Sequence, residues 1–153
     1  MIKHIRTASA VPTAYTEWLN LGDEVEVELT SEHPEWPIEG ALLRNHTAGW
    51  RAGSPGPQTI VLTWPSPITL RRVQVVFEEC SRTRTQEFAL CAVTGQGRRE
   101  IVRQQFTFAP PGTTIEREEY AANVEGVRRL ELTIVPAVDD ADAIATLKAW
   151  RVA

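Results

Sequence analysis

The chain has 153 residues, 42% hydrophobic and 24% charged, which suits one globular domain able to bury its own core. Its formal net charge of −4 argues against a nucleic-acid binder held by counterion release. Two cysteines, Cys80 and Cys91, are too few for a disulfide framework, no run approaches a membrane span, and the N-terminus lacks the apolar stretch of a signal peptide, so a cytoplasmic protein is expected.

Residues 1–13 show no period and read as a loose arm, with 1–23 flanking or packed on the domain that follows. Tyr15, Trp18 and Leu19 recur at helical spacing in 14–21, and Gly22 ends that segment. In 24–30, EVEVELT, valines and leucine alternate with glutamates, the pattern of a half-buried strand. Residues 31–57 are a loop punctuated by Pro34, Pro37, Pro55 and Pro57, in which Pro37 suits the first position of a short helix, PIEGALL. Strands follow at 58–64, with Ile60, Leu62 and Trp64 on one face, and at 70–77, with Val73, Val75 and Phe77 on one face; Pro65 and Pro67 are expected to separate them.

After a polar connector carrying Arg82 and Arg84, a strand is expected over 86–93 and another over 100–108, joined by a hairpin turn in TGQGRR. Residues 115–124 alternate poorly and read as an edge strand plus a turn, whereas 127–135 places Leu130, Leu132 and Ile134 inward. An acidic loop at 136–143 precedes a closing strand over 144–152. About eight regularly spaced strands with little helix predict an all-β sandwich or barrel formed by the whole chain as one unit.

An enzyme would need a nucleophile with its base, a metal cluster or a cofactor cradle, and no such set assembles in the sequence. His4, His33 and His46 lack metal-ligand spacing. Gly95-Gln96-Gly97 lacks the third glycine and the strand-to-helix context of a dinucleotide loop, and reads as a turn. Asp139, Asp140 and Asp142 lack the glycine and terminal glutamate of a calcium loop and read as a solvated turn. Glu78 and Glu79 are neighbours on a strand, so they point to opposite faces and cannot form an acid/base pair.

What remains are large or cationic loop residues: His33, Trp36, His46, Trp50, Arg51, Arg82 and Arg84. An aromatic ring can cover the apolar face of a sugar while arginine forks donate to its hydroxyls. The plainer readings are that Trp50 plugs the rim beside Gly49, that Arg51 pairs with a carboxylate, and that Arg82 and Arg84 are a solvated tip. Trp36, between Glu35 and Pro37, suits ligand contact and loop packing equally.

The order ALLRNHTAGWRA (41–52), QTIVLTW (58–64), LRRVQVVF (70–77) and QEFALCAVTGQGRREIVRQQFTF (86–108), closed by VRRLELTIVP and IATLKAWRV, resembles the discoidin, or coagulation-factor type C, domain. That family belongs to the galactose-binding-like jelly rolls, and the likeness spans roughly 24–153. It implies a jelly-roll sandwich whose loops at one end form a shallow ligand site. Carried over, its carbohydrate-binding members point to His33 or Trp36, to His46 or Trp50, and to Arg82 or Arg84. The aspartate-glycine pair that often holds a structural calcium ahead of the tryptophan is replaced by Arg44-Asn45-His46-Thr47, which removes the calcium carboxylate; no cofactor or metal is expected. The expected role is a non-catalytic carbohydrate-binding module. The alternative is an intracellular scaffold that uses the same loop end for a protein partner.

Overall fold

A computed structural model describes residues 18–153. His4 and most of the arm and helical turn expected over 1–23 lie outside the described residues. The elements in chain order are β1 (Glu26–Leu29), α1 (Glu39–Leu42), β2 (Trp50–Arg51), β3 (Gln58–Glu78), β4 (Arg84–Thr94), β5 (Gly97–Phe108), β6 (Ile115–Val135), β7 (Thr146–Leu147) and β8 (Ala149–Val152). All named strand pairs are antiparallel, and the molecule is the β-sandwich expected. No helix among the described residues is long and apolar enough to cross a membrane.

A long ribbon of β3 and β6 organises the sandwich. Its first half pairs Gln58–Thr63 with Arg129–Ile134, and its second pairs Arg72–Glu78 with Ile115–Ala121. Between them the register shifts, and the ribbon bends from one layer into the other. The first half lies between β1 and β4, and β4 carries β5 at the edge; the second half carries β8. The prolines therefore bend a strand that they were expected to break. Pro65 and Pro67 are exposed and fall where the ladder between Thr63 and Ile68 is already interrupted, so their missing N–H groups forfeit no bond. The same bend explains the irregular stretch before Val127: β6 is one strand, where an edge strand and a turn were expected.

Period-2 alternation fills the space between the layers. Ile60, Leu62, Leu130, Leu132 and Ile134 face inward from one layer, and Val73, Val75, Phe77, Trp150 and Val152 from the other, all fully buried. Phe77 of β3 meets Phe88 of β4 with ring centroids 5.1 Å apart. Each such apolar side chain contributes roughly 1.5–3 kcal/mol through burial. Cys91 is buried and Cys80 exposed, and both are free thiols.

The closing segment is split. Thr146–Leu147 pairs with Arg51–Trp50, and Ala149–Val152 pairs with β3 on the other side of Lys148, whose N–H donates to Val76 O at 2.7 Å. The two-residue β2 was not anticipated, because a strand so short has no period to read. The β4–β5 turn is at Gly95-Gln96 as expected, with Thr94 opposite Gly97.

The connections gather at two ends. At one, Val138 N–H reaches Thr85 O (2.9 Å), Glu79 N–H reaches Thr114 O (2.8 Å) and Ala52 N–H reaches Ala145 O (3.0 Å). The β1–α1–β2, β3–β4, β5–β6 and β6–β7 loops thus converge there. The β4–β5 turn and the ribbon bend occupy the opposite end.

Candidate functional site

At the end where the four loops meet, the loop from β1 to β2 is fixed by two close backbone approaches. Gly49 N–H donates to Gly40 O at 3.1 Å, and a Cβ on Gly40 would lie 2.4 Å from Gly49 O. Gly49 itself has φ +86°, in the left-handed region, against the carbonyl of Leu147. This close packing seats Trp50 in the core at 1% exposure, opposite Leu147. Strand alternation then turns Arg51 outward.

Arg51 ties the loop across itself. His33 N–H donates to Arg51 O (2.9 Å), and Arg51 N–H donates to Trp36 O (3.2 Å). His33 and Trp36 face each other in a small antiparallel bridge, and the His33 Nδ1 accepts from Glu35 N–H at 3.1 Å. Glu32 is turned toward α1, where it accepts the Ile38 N–H at 2.7 Å. These bonds hold the half-buried Trp36 indole, and the Arg51 guanidinium lies 4.3 Å from its ring centroid. Such a cation–π contact is worth about 0.5–1 kcal/mol at an exposed site.

Trp36 and Arg51 line a shallow open groove of about 210 Å³. Glu78, at the end of β3, and Thr146 and Lys148, around β7, line it as well. Neither Glu78 nor Lys148 was singled out as a ligand contact from sequence. They lie roughly 30 and 100 residues beyond Arg51, and only the pairing of β7 with β2 brings them to it.

Behind this groove lies Arg84, and here the sequence reading is corrected. It is neither a solvated tip nor available to a ligand: its side chain is 1% exposed. Its Nε donates to Glu79 Oε1 (2.8 Å), its Nη1 to Pro136 O (2.8 Å) and Gln86 Oε1 (3.0 Å), and its Nη2 to Thr146 Oγ1 (3.2 Å). The guanidinium also packs on the Phe108 ring at 4.8 Å. Thr146 in turn donates to Glu78 O at 3.0 Å. Arg84 thus ties β3, β4, β7 and the β6–β7 loop together beneath the groove. Burial pushes the Glu79 carboxyl up, but hydrogen bonds from Arg84 and Ser81 outweigh it and hold the group below its ordinary range.

The other assignments divide in the same way. Trp50 packs as a rim plug and is 1% exposed although it borders the groove, so it does not offer the stacking face proposed for it. Arg82 is exposed and pairs with Asp140 at 2.9 Å, away from the groove lining. His46 is exposed in the α1–β2 loop and does not line the groove either. His33 supports Trp36 through the backbone. Asp140 caps its own turn, accepting the Asp142 N–H at 2.9 Å, and no cluster of metal-ligating side chains occurs among the described residues.

One buried group was missed altogether. Glu116 of β6 is 1% exposed opposite Phe77, with Oε1 accepting from Gln86 Nε2 at 3.2 Å and Oε2 unpaired. Burial, with repulsion from Glu118, pushes its carboxyl up to about 7. Its place on the inward phase of IEREEY was the available signal.

No known family model and no curated protein matches this sequence. Solved structures do match. The family 32 carbohydrate-binding module of Clostridium perfringens NanJ in complex with galactose aligns at TM-score 0.64 and 11% identity, covering 88% of this chain and 96% of that one. The corresponding module of AlyQ in complex with 4,5-unsaturated mannuronic acid aligns at TM-score 0.59 and 17% identity, covering 86% and 95%. SpGH29 aligns at TM-score 0.66 and 17% identity, with 95% of this chain matching 29% of that one. At such identities the likeness establishes the fold, a discoidin-like, galactose-binding-type β-sandwich, which is the fold expected from the sequence.

Proposed function

We propose that this chain is a non-catalytic carbohydrate-binding module that takes a glycan in the Trp36 groove. The observation that carries this is the half-buried Trp36 indole, held at a loop-end groove by the backbone bonds of Arg51 and His33, with polar side chains lining the same groove. An indole face covers the C–H face of a pyranose, and the polar side chains bond its hydroxyls. The groove is smaller than the roughly 300–1,000 Å³ of enclosed small-molecule sites, which fits one or two sugar rings held on a surface. Modules of the same fold that bind galactose and an unsaturated mannuronic acid support the reading.

Catalysis is not part of it. Glycoside hydrolysis uses two carboxylates flanking the bond, and Glu78 is the one carboxylate among the described residues lining the groove. A glycan array followed by calorimetric titration tests the proposal: Trp36→Ala should weaken the best ligand at least tenfold. Unchanged affinity in that variant overturns the site assignment.

A second reading is favoured by Ile115, Val138 and Ile144, aliphatic side chains 36–49% exposed on the segments bordering the same loop end. They suit docking of a protein partner there. Silence on the array together with a stoichiometric partner from lysate would decide for that reading.

A further inference from the structure

The charge around the groove does not match the charge of the molecule. The chain carries −4 overall, yet the groove lining holds two cations, Arg51 and Lys148, against one carboxylate, Glu78. Among the described residues neither cation has a carboxylate partner, whereas Arg82, Arg84, Arg98 and Arg103 each hold one within 3.0 Å. Arg51 is exposed, and its guanidinium rests on the face of Trp36. That contact orients the guanidinium without using its five N–H donors. Lys148 is the one lysine among the described residues. It sits at the crossover between β7 and β8, its backbone fixed by the Val76 carbonyl, so its side chain issues from a rigid point in the groove lining.

An unpaired arginine and an unpaired lysine beside an aromatic platform form a receptor for a ring that carries a carboxylate. We infer that the ligand class is an acidic sugar, a uronate, that sits in the groove beside Trp36 and whose carboxylate is bound by Arg51 and Lys148. Charge-assisted hydrogen bonds of this kind are about twice as strong as neutral ones. Glu78 accepts from ring hydroxyls in the same pose and disfavours a second acid group beside it. This inference rests on the groove being a sugar site and adds the chemistry that selects among sugars.

Matched pairs test it. The full chain is titrated at low ionic strength with galacturonate and galactose, glucuronate and glucose, and mannuronate and mannose, free and as short oligomers. Each pair differs at C6 alone, carboxylate against hydroxymethyl. At least one acid should bind about tenfold more tightly than its neutral partner. The preference should shrink in 0.5 M salt, since both cations are solvent-accessible. Arg51→Gln and Lys148→Gln, checked for unchanged circular dichroism, should each bring the acid-to-neutral ratio toward one. Equal or stronger binding of the neutral sugars overturns this inference and leaves the carbohydrate-binding module standing. No binding of any sugar overturns both. An acid preference that survives in both variants refutes the assignment to these two side chains.

Discussion

Replacing Arg84 with methionine separates its two assigned roles. A ligand donor could be lost without harm to the fold, whereas an internal tie could not. The structure favours the tie: four donations from a side chain that is 1% exposed, to a carboxylate, a backbone carbonyl, an amide and a hydroxyl. Removing one partner of a buried ion pair costs roughly 3–5 kcal/mol, because the other charge is left uncompensated. Glu79 is 12% exposed on its side chain and keeps its bonds from Ser81, so the lower part of that range applies, about 3 kcal/mol. For a domain of this size that corresponds to a fall in Tm of roughly 6–12 °C. Urea unfolding followed by tryptophan fluorescence measures it, and the Glu79→Gln/Arg84→Met pair isolates the interaction. Coupling above about 1.5 kcal/mol is expected, since the two groups share one bond network. A single-variant cost under about 1 kcal/mol, with sugar binding abolished, would return Arg84 to the ligand site and refute this reasoning.

Further outcomes follow from the same geometry. Glu116 has a folded pKa pushed up to about 7, so its stabilising contribution is complete below the unfolded carboxylate pKa and is lost as pH rises through 7; Glu116→Gln should flatten that part of the stability–pH curve. Glu79 has the opposite sign: held below its ordinary range, it contributes above the unfolded carboxylate pKa and its contribution is lost on acidification, a loss that Arg84→Met should remove. Gly49→Ala forces a Cβ to within 3.0 Å of Leu147 O at φ +86° and should cost about 1–3 kcal/mol in urea unfolding while weakening ligand binding. Arg82→Ala breaks a surface pair with Asp140 and should change stability by less than about 1 kcal/mol in the same assay, with sugar affinity unchanged by titration.

Much of the candidate site was legible in part. Trp36 and Arg51 stood out as a large aromatic and a cation in a proline-marked loop, and both line the groove. Arg84 was misread because a polar connector on the page looks solvated; its burial depends on Glu79 of the β3–β4 loop, Gln86 of β4 and Thr146 of β7 closing around it. Glu78 and Lys148 were invisible as site residues, since nothing within a few positions of either points to Arg51.

Local alternation was enough to determine the layers. Val, Leu and Ile at every second position can be buried together only if the segment is a strand facing an apolar neighbour, and that information lies within each segment. Which strands run on through a bend, which side of the sheet a lone glutamate enters, and which cations share a groove with Trp36 depend on partners dozens of residues away. Those contacts exist only once the β3–β6 ribbon has folded over and β7 has paired with β2, so tertiary structure alone decided them.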